Sequence, residues 1–189
     1  MEDTLVFVDN GFFKLVKDYF EKKKGKKLML FKTFRNICHK ENLNLKHLFF
    51  YTAPPYQSEF PNNHEVILRR NYDNFSKLLK YKKWITLREG RCQRLKINEE
   101  YKYSQKGVDS WIVFDLARLK INFPNINKII FISSDSDFAP IIDELQKTDG
   151  LEIILYTYFD RKRGSSFSLS NDLLDSCSKW VKFNEEDFE

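Results

Sequence analysis

Apolar runs that end in aspartate alternate along this chain with segments of helical periodicity. Leu5-Val6-Phe7-Val8 runs into Asp9, after which Phe12, Phe13, Leu15, Val16, Tyr19 and Phe20 recur at helical spacing. Ile129-Ile130-Phe131-Ile132 ends in Ser133-Ser134-Asp135-Ser136-Asp137, and Phe138, Ile141, Ile142 and Leu145 follow in the same way. Short unbroken apolar runs of this kind predict strands buried on both faces, as in a parallel sheet.

Between these two units the pattern predicts a helix from Leu28 to Asn42 and a strand from His47 to Ala53. A prolyl, aromatic loop (Pro54 to Asn63, with Tyr56 and Phe60) follows, and then a helix from His64 to Tyr81. Trp84 to Arg88 and Cys92 to Ile97 flank Glu89-Gly90-Arg91, a hairpin signal. Asn98 to Gln105 is polar with two tyrosines, and Val108 to Lys120 returns to helical spacing. After the second aspartate-ended run, a helix is expected over Phe138 to Lys147 and a strand over Leu151 to Tyr156. A basic loop (Arg161 to Ser166), a short helix (Leu169 to Asp175), a last strand (Trp180 to Phe183) and an acidic tail over 184–189 complete the chain. Strands alternating with helices predict a three-layer α/β/α domain with a mainly parallel central sheet. The 189 residues fit one such domain, with no internal repeat and no linker.

Composition narrows the function classes. Hydrophobic residues make up 42% and charged residues 31%, which suits a globular core rather than a disordered chain. No apolar run approaches the ~20 residues of a membrane-spanning helix. The acidic start Met1-Glu2-Asp3-Thr4 is unlike a signal peptide. Cys38, Cys92 and Cys177 lie far apart without CxxC spacing, which points to reduced thiols and a cytoplasmic setting. The net charge is +5, much of it local: Lys22 to Lys27, Arg69-Arg70, Lys80 to Lys83, Arg88, Arg91, Arg94, and Arg161-Lys162-Arg163. Such patches suit a polyanion or simply form solvated faces. His39, His47 and His64 have no zinc-ligand spacing, and the chain has no Walker A loop, GxGxxG or GxSxG motif.

The aspartates carry the candidate chemistry. A strand feeding a helix through a polar turn puts that turn at the carboxyl edge of a parallel sheet, where open α/β proteins bind ligands. Each acid also has a structural reading. Asp137 is placed to cap the helix that holds Pro140 in its first turn, and Asp9 or Asn10 caps the first helix. Asp109, two residues after Gly107, complements a helix dipole, an effect worth ~0.3–1 kcal/mol. Asp115 lies about 9 Å further along that helix and is rotated roughly 120° from Asp109, so it is a supporting group rather than a co-ligand.

Taken together, Val8-Asp9-Asn10-Gly11, Lys106-Gly107-Val108-Asp109 with Asp115 behind it, and Ser133-Ser134-Asp135-Ser136-Asp137-Phe138 resemble the NYN domain in order and position. That family is a branch of the PIN-like nuclease superfamily, with a Rossmann-like fold. Phe167-Ser168-Leu169 and Leu174-Asp175 are similar to its C-terminal element, and the resemblance covers essentially the whole chain. It implies that Asp9, Asp109, Asp135 and Asp137 form an acidic pocket for Mg²⁺ or Mn²⁺, and that the activity is hydrolysis of RNA phosphodiester bonds. Two positions depart from the family pattern. Asp9-Asn10-Gly11-Phe12 replaces Asp-Gly-x-Asn, so the polar role of that asparagine shifts to Asn10 or is lost. Ser134 stands where the family has glycine.

Physical reasoning runs in the same direction. Four crowded carboxylates repel, and divalent cations with oxygen ligands relieve the repulsion. Asp9 and Asp135 are assigned as direct ligands, with Asp109 and Asp137 as ligands or orienters of the attacking water. Asn10, Lys106, Ser133, Ser134, Arg161 and Arg163 are candidates to contact the substrate. The expected partner is RNA and not a membrane, with a homo-oligomer left open. The alternatives are a non-catalytic RNA- or protein-binding module that keeps the acidic pocket, and a metal-dependent phosphatase or DNA nuclease.

Overall fold

The computed structural model describes residues 1–160, 167 and 170–188. Its strands are β1 (Glu2–Asp9), β2 (Leu43–Thr52), β3 (Ile85–Glu89), β4 (Arg91–Ile97), β5 (Glu100–Lys106), β6 (Lys128–Ile132), β7 (Glu152–Thr157) and β8 (Lys179–Lys182). The helices are α1 (Asn10–Lys24), α2 (Leu30–Lys40), α3 (Asn63–Lys80), α4 (Val108–Ala117), α5 (Leu119–Asn122), α6 (Ala139–Asp149) and α7 (Asn171–Asp175). Six strands form one sheet in the order β3-β2-β1-β6-β7-β8, and every pair in it is parallel.

Alternation along β1 divides the core into two layers. Val6 and Val8 pack with Phe13 and Val16 of α1, Phe34 and Ile37 of α2, and Leu79 of α3. Leu5 and Phe7 face the other way, onto Ile112 and Leu116 of α4 and Ile142 and Leu145 of α6. On that second face Phe7 stacks on Phe49 with ring centroids 4.6 Å apart. Burying each such side chain contributes about 1.5–3 kcal/mol, which explains why β1 and β6 read as continuous apolar runs. The fold is therefore the expected three-layer α/β/α arrangement. Among the described residues, no helix is long and apolar enough to cross a membrane.

Four local expectations change. First, Glu89-Gly90-Arg91 is not a hairpin turn. β3 pairs with β2 in the main sheet, while β4 turns away and pairs antiparallel with β5 as a separate two-stranded ribbon. Gly90 sits at this divergence, its amide donating to the Thr52 carbonyl at 2.8 Å. A Cβ on Gly90 would stand 2.5 Å from the Lys106 carbonyl oxygen and 2.8 Å from Val108 Cγ2, so close backbone approach explains the glycine. The true hairpin turn is Asn98-Glu99, where both residues have positive φ (49° and 68°).

Second, the lysine cluster, read as a loop after the first helix, is a loop only in its second half: Lys22, Lys23 and Lys24 form the last turn of α1, where they complement its dipole, and Lys26 and Lys27 follow the Gly25 cap. Third, the Val108-to-Lys120 helix breaks after Ala117, and α5 is a separate short turn. Fourth, the acidic tail is packed. Asp187 and Phe188 are buried, Lys40 Nζ lies 2.8 Å from Asp187, and the Asn184 amide donates to Asp187 at 2.7 Å. Phe188 fits among Phe20, Phe183 and Phe13.

Candidate active site

After β1 the chain winds outward to β2 and β3, then crosses back to β6 on the other side of β1. The carboxyl ends of β1 and β6 thus flank the point where the winding direction reverses, the usual crevice of an open α/β sheet. Asp9 ends β1, and Ser133 to Asp137 follow β6.

Local hydrogen bonding fixes these acids. Asp9 caps α1: its Oδ1 accepts from the Gly11 amide at 2.9 Å, with the Phe12 amide at 3.5 Å. Its Oδ2 accepts from the Ser133 hydroxyl at 3.1 Å, and the same Ser133 Oγ accepts from the Asp135 amide at 3.2 Å. Ser133 is fully buried, so one hydroxyl ties the two strand ends together. Asn10, as the first residue of α1, is not the cap. Its Nδ2 donates to Thr52 Oγ1 at 3.0 Å and lines a cavity of about 390 Å³ bounded by α1, α3 and the end of β2.

The cap after β6 differs from expectation. Asp135, not Asp137, caps the 3-10 turn Ser136–Phe138 by accepting from the Asp137 amide at 2.9 Å, and α6 begins after Phe138 without a side-chain cap. The Asp137 residue is left exposed, and Ser134 is half-buried. On the facing element, Gly107 adopts a left-handed φ of 78°, which lets the chain leave β5 and start α4 with Asp109 in its first turn.

The carboxylates sense one another. Burial holds the Asp9 carboxyl above its usual range, and the charge of Asp109 pushes the same way, while Ser133 and the Phe12 and Gly11 amides partly offset this. Asp109 is also raised, by desolvation first and then by Asp135 and Asp137, with Lys106 opposing. Asp9, Asp109, Asp135 and Asp137 therefore share one electrostatic neighbourhood at the crevice. Among the described residues, no group of three or more His, Cys, Asp or Glu side chains is assembled closely enough to hold a metal ion as it stands. The donor chemistry nonetheless suits a hard divalent cation, because all four groups are carboxylates and two are destabilised in the charged form.

Asp115 faces elsewhere. It is buried and takes a two-point ion pair from Arg88 (Nε at 2.9 Å, Nη2 at 2.7 Å) and a hydrogen bond from the Tyr51 hydroxyl at 3.2 Å. Arg88 in turn stacks on Trp111, its guanidinium carbon 4.8 Å from the ring centroid. This locks α4, and with it Asp109, against β2 and β3. Arg88 and Tyr51 are supporting residues that the sequence offered no way to pair, since a buried acid announces a need for a partner without naming it. Thr52 and Gln105 at the cavity beside Asn10 were equally silent. Arg161, Lys162 and Arg163 lie outside the described residues.

Comparison with known proteins agrees with this architecture. No curated protein matches the chain. A solved protein of unknown function from Vibrio parahaemolyticus RIMD 2210633 is similar in fold, with a TM-score of 0.58 at 14% identity over 98% of this chain and 94% of that one. The sequence pattern of the NYN domain matches residues 27–183. With most of its length matched, and with a six-stranded parallel sheet bearing acidic strand ends, the chain belongs to the NYN domain family.

Proposed function

We propose that this protein is a metal-dependent ribonuclease whose cutting centre is the acidic crevice between the ends of β1 and β6. The observation that carries this reading is the gathering of acids at the crevice: burial first, and then the charge of Asp109 on Asp9 and of Asp135 and Asp137 on Asp109, holds the Asp9 and Asp109 carboxyls above their usual range. Asp9, Asp135, Asp109 and Asp137 would hold Mg²⁺ or Mn²⁺. Such an ion, when bound, acidifies water, polarises a phosphoryl oxygen and steadies the leaving oxygen.

The chain's own groups do the rest. The Gly11 amide and the Ser133 hydroxyl fix both oxygens of Asp9, and the Asp137 amide fixes Asp135. Asp109, made more basic by burial and then by its acidic neighbours, orients the attacking water and takes its proton. Lys106, close enough to lower the Asp109 pKa, offsets phosphate charge. Ser134 and Asn10 flank the crevice as substrate contacts. Residues 1–189 are read as a single domain working in a reducing, cytoplasmic compartment.

A non-catalytic binding module is the second reading, favoured by the lack of an assembled ligand cluster among the described residues. One variant separates the two. Asp135→Asn keeps the cap on the 3-10 turn, because an asparagine oxygen accepts the same amide. Mn²⁺ is expected to raise the melting temperature of the wild-type protein and support RNA cleavage, with both effects lost in Asp135→Asn. Cleavage that survives the substitution, or no response to either metal, sinks the hydrolase reading.

A further inference from the structure

We infer that one face of the β4–β5 ribbon is a stacking platform that feeds single-stranded RNA into the acidic crevice. This rests on the RNA reading above and supplies its substrate class. In the antiparallel register Arg94 lies opposite Tyr103, Lys96 opposite Tyr101 and Cys92 opposite Gln105, so these side chains share one face. On it the Arg94 guanidinium carbon sits 4.3 Å from the Tyr101 centroid and 4.5 Å from that of Tyr56, in the loop that backs the ribbon. Tyr56 and Tyr103 meet at 5.7 Å. The platform is thus held in place before any ligand arrives, yet Tyr101 and Tyr103 remain 55% and 56% exposed.

The ribbon packs no core cluster of its own; Leu95 and Ile97 are exposed on its other face and take no part in the platform. Its five basic residues lie along the shaft, while its only acids, Glu99 and Glu100, are at the tip. The basic end leads toward the crevice. Gln105 lines the cavity beside Asn10, and Lys106-Gly107-Val108 runs straight into Asp109.

Exposed rings beside guanidinium and ammonium groups match bases and phosphates of an unpaired strand, whose bases are free to stack. A duplex hides those faces. A second copy of the chain pairing with the ribbon edge is opposed by like charges along both strands.

The test uses the full chain in EDTA, where no metal-dependent cleavage takes place. Fluorescence anisotropy would follow a labelled single-stranded RNA of about a dozen nucleotides and the same sequence as a duplex. The double variant Tyr101→Ala/Tyr103→Ala should weaken single-strand binding on the order of tenfold and leave duplex binding unchanged, and Arg94→Ala should weaken single-strand binding more than duplex binding. Tyr101→Phe/Tyr103→Phe, which keeps the rings, should bind like wild type. Equal loss for both RNAs, or unchanged single-strand affinity, overturns the platform. So does a change in sedimentation from dimer to monomer without loss of RNA affinity, which would assign the ribbon to self-association. Binding in EDTA needs no metal held by Asp135. A protein that grips single strands and never cuts them loses only the hydrolase reading, and one that cuts without single-strand preference loses only the platform.

Discussion

Ser133 Oγ and Asp9 Oδ2 meet at 3.1 Å although 124 positions separate the two residues. This single hydrogen bond spans the reversal point of the sheet and opposes the burial that raises the Asp9 pKa. Ser133→Ala removes it and also leaves the Asp135 amide without its side-chain acceptor. Cleavage should fall on the order of tenfold, the cost of one hydrogen bond to a charged group. The acidic limb of the pH–rate profile should move toward higher pH. Single-turnover cleavage across pH measures both, and an unmoved limb would refute this role for Ser133.

Asp9 should be an acid the fold tolerates for function at the expense of stability. Its folded pKa lies above the unfolded value, so the native state binds more protons between the two. Stability therefore falls as pH rises through that window and then levels off. Asp9→Asn, which retains the cap, should melt higher than wild type at neutral pH and lose that advantage below the ordinary aspartate range. Melting curves at several pH values decide it. Added Mn²⁺ should narrow the gap by stabilising wild type alone.

The Arg88–Asp115 pair predicts a stability defect away from the crevice. Arg88→Met leaves the Asp115 carboxylate buried with only Tyr51 beside it. The expected cost is roughly 2–3 kcal/mol, or about 5–10 °C in melting temperature for a chain of this size. Adding Asp115→Leu should recover much of the loss, since two apolar groups replace the pair. A double variant no better than Arg88→Met would contradict the assignment.

Gly90→Ala tests the junction between sheet and ribbon. A Cβ there meets backbone at Lys106 and the Val108 side chain, so the ribbon or the start of α4 must shift. Destabilisation of about 1–3 kcal/mol is expected, together with weaker single-strand RNA binding. Chemical denaturation and the anisotropy assay report the two effects separately.

Phe188→Ala should cost about 3 kcal/mol by emptying the space among Phe13, Phe20 and Phe183. A tail that merely hangs in solvent would show no loss in the same denaturation measurement.

The layered fold was legible because residues 5–8 of β1 and 129–132 of β6 are buried on both faces and are apolar without a break. β5 was not legible, because a strand exposed on both faces carries no alternation to read. Gly90 signalled a break between two strands but not its purpose: it serves close packing where β4 leaves the main sheet rather than hairpin closure. The tail's acids concealed Phe188, whose burial depends on three aromatic residues far away in sequence. At the crevice, residue types and strand-end positions could be read, but not which acid caps which turn. Asp135 takes that role because the chain enters a 3-10 turn before α6, a detail of one or two residues that spacing does not encode.

The central position of β1 has a consequence for the protein as it leaves the ribosome. A nascent chain that has produced β2 and β3 can pair them with β1 but still presents the opposite edge of β1 bare, and only β6 closes it. The same late strand delivers Ser133 and Asp135 to Asp9. A product that stops before Lys128 would carry an adhesive strand edge and half a crevice, so a translating cell meets the risk of aggregation before the acidic crevice is complete.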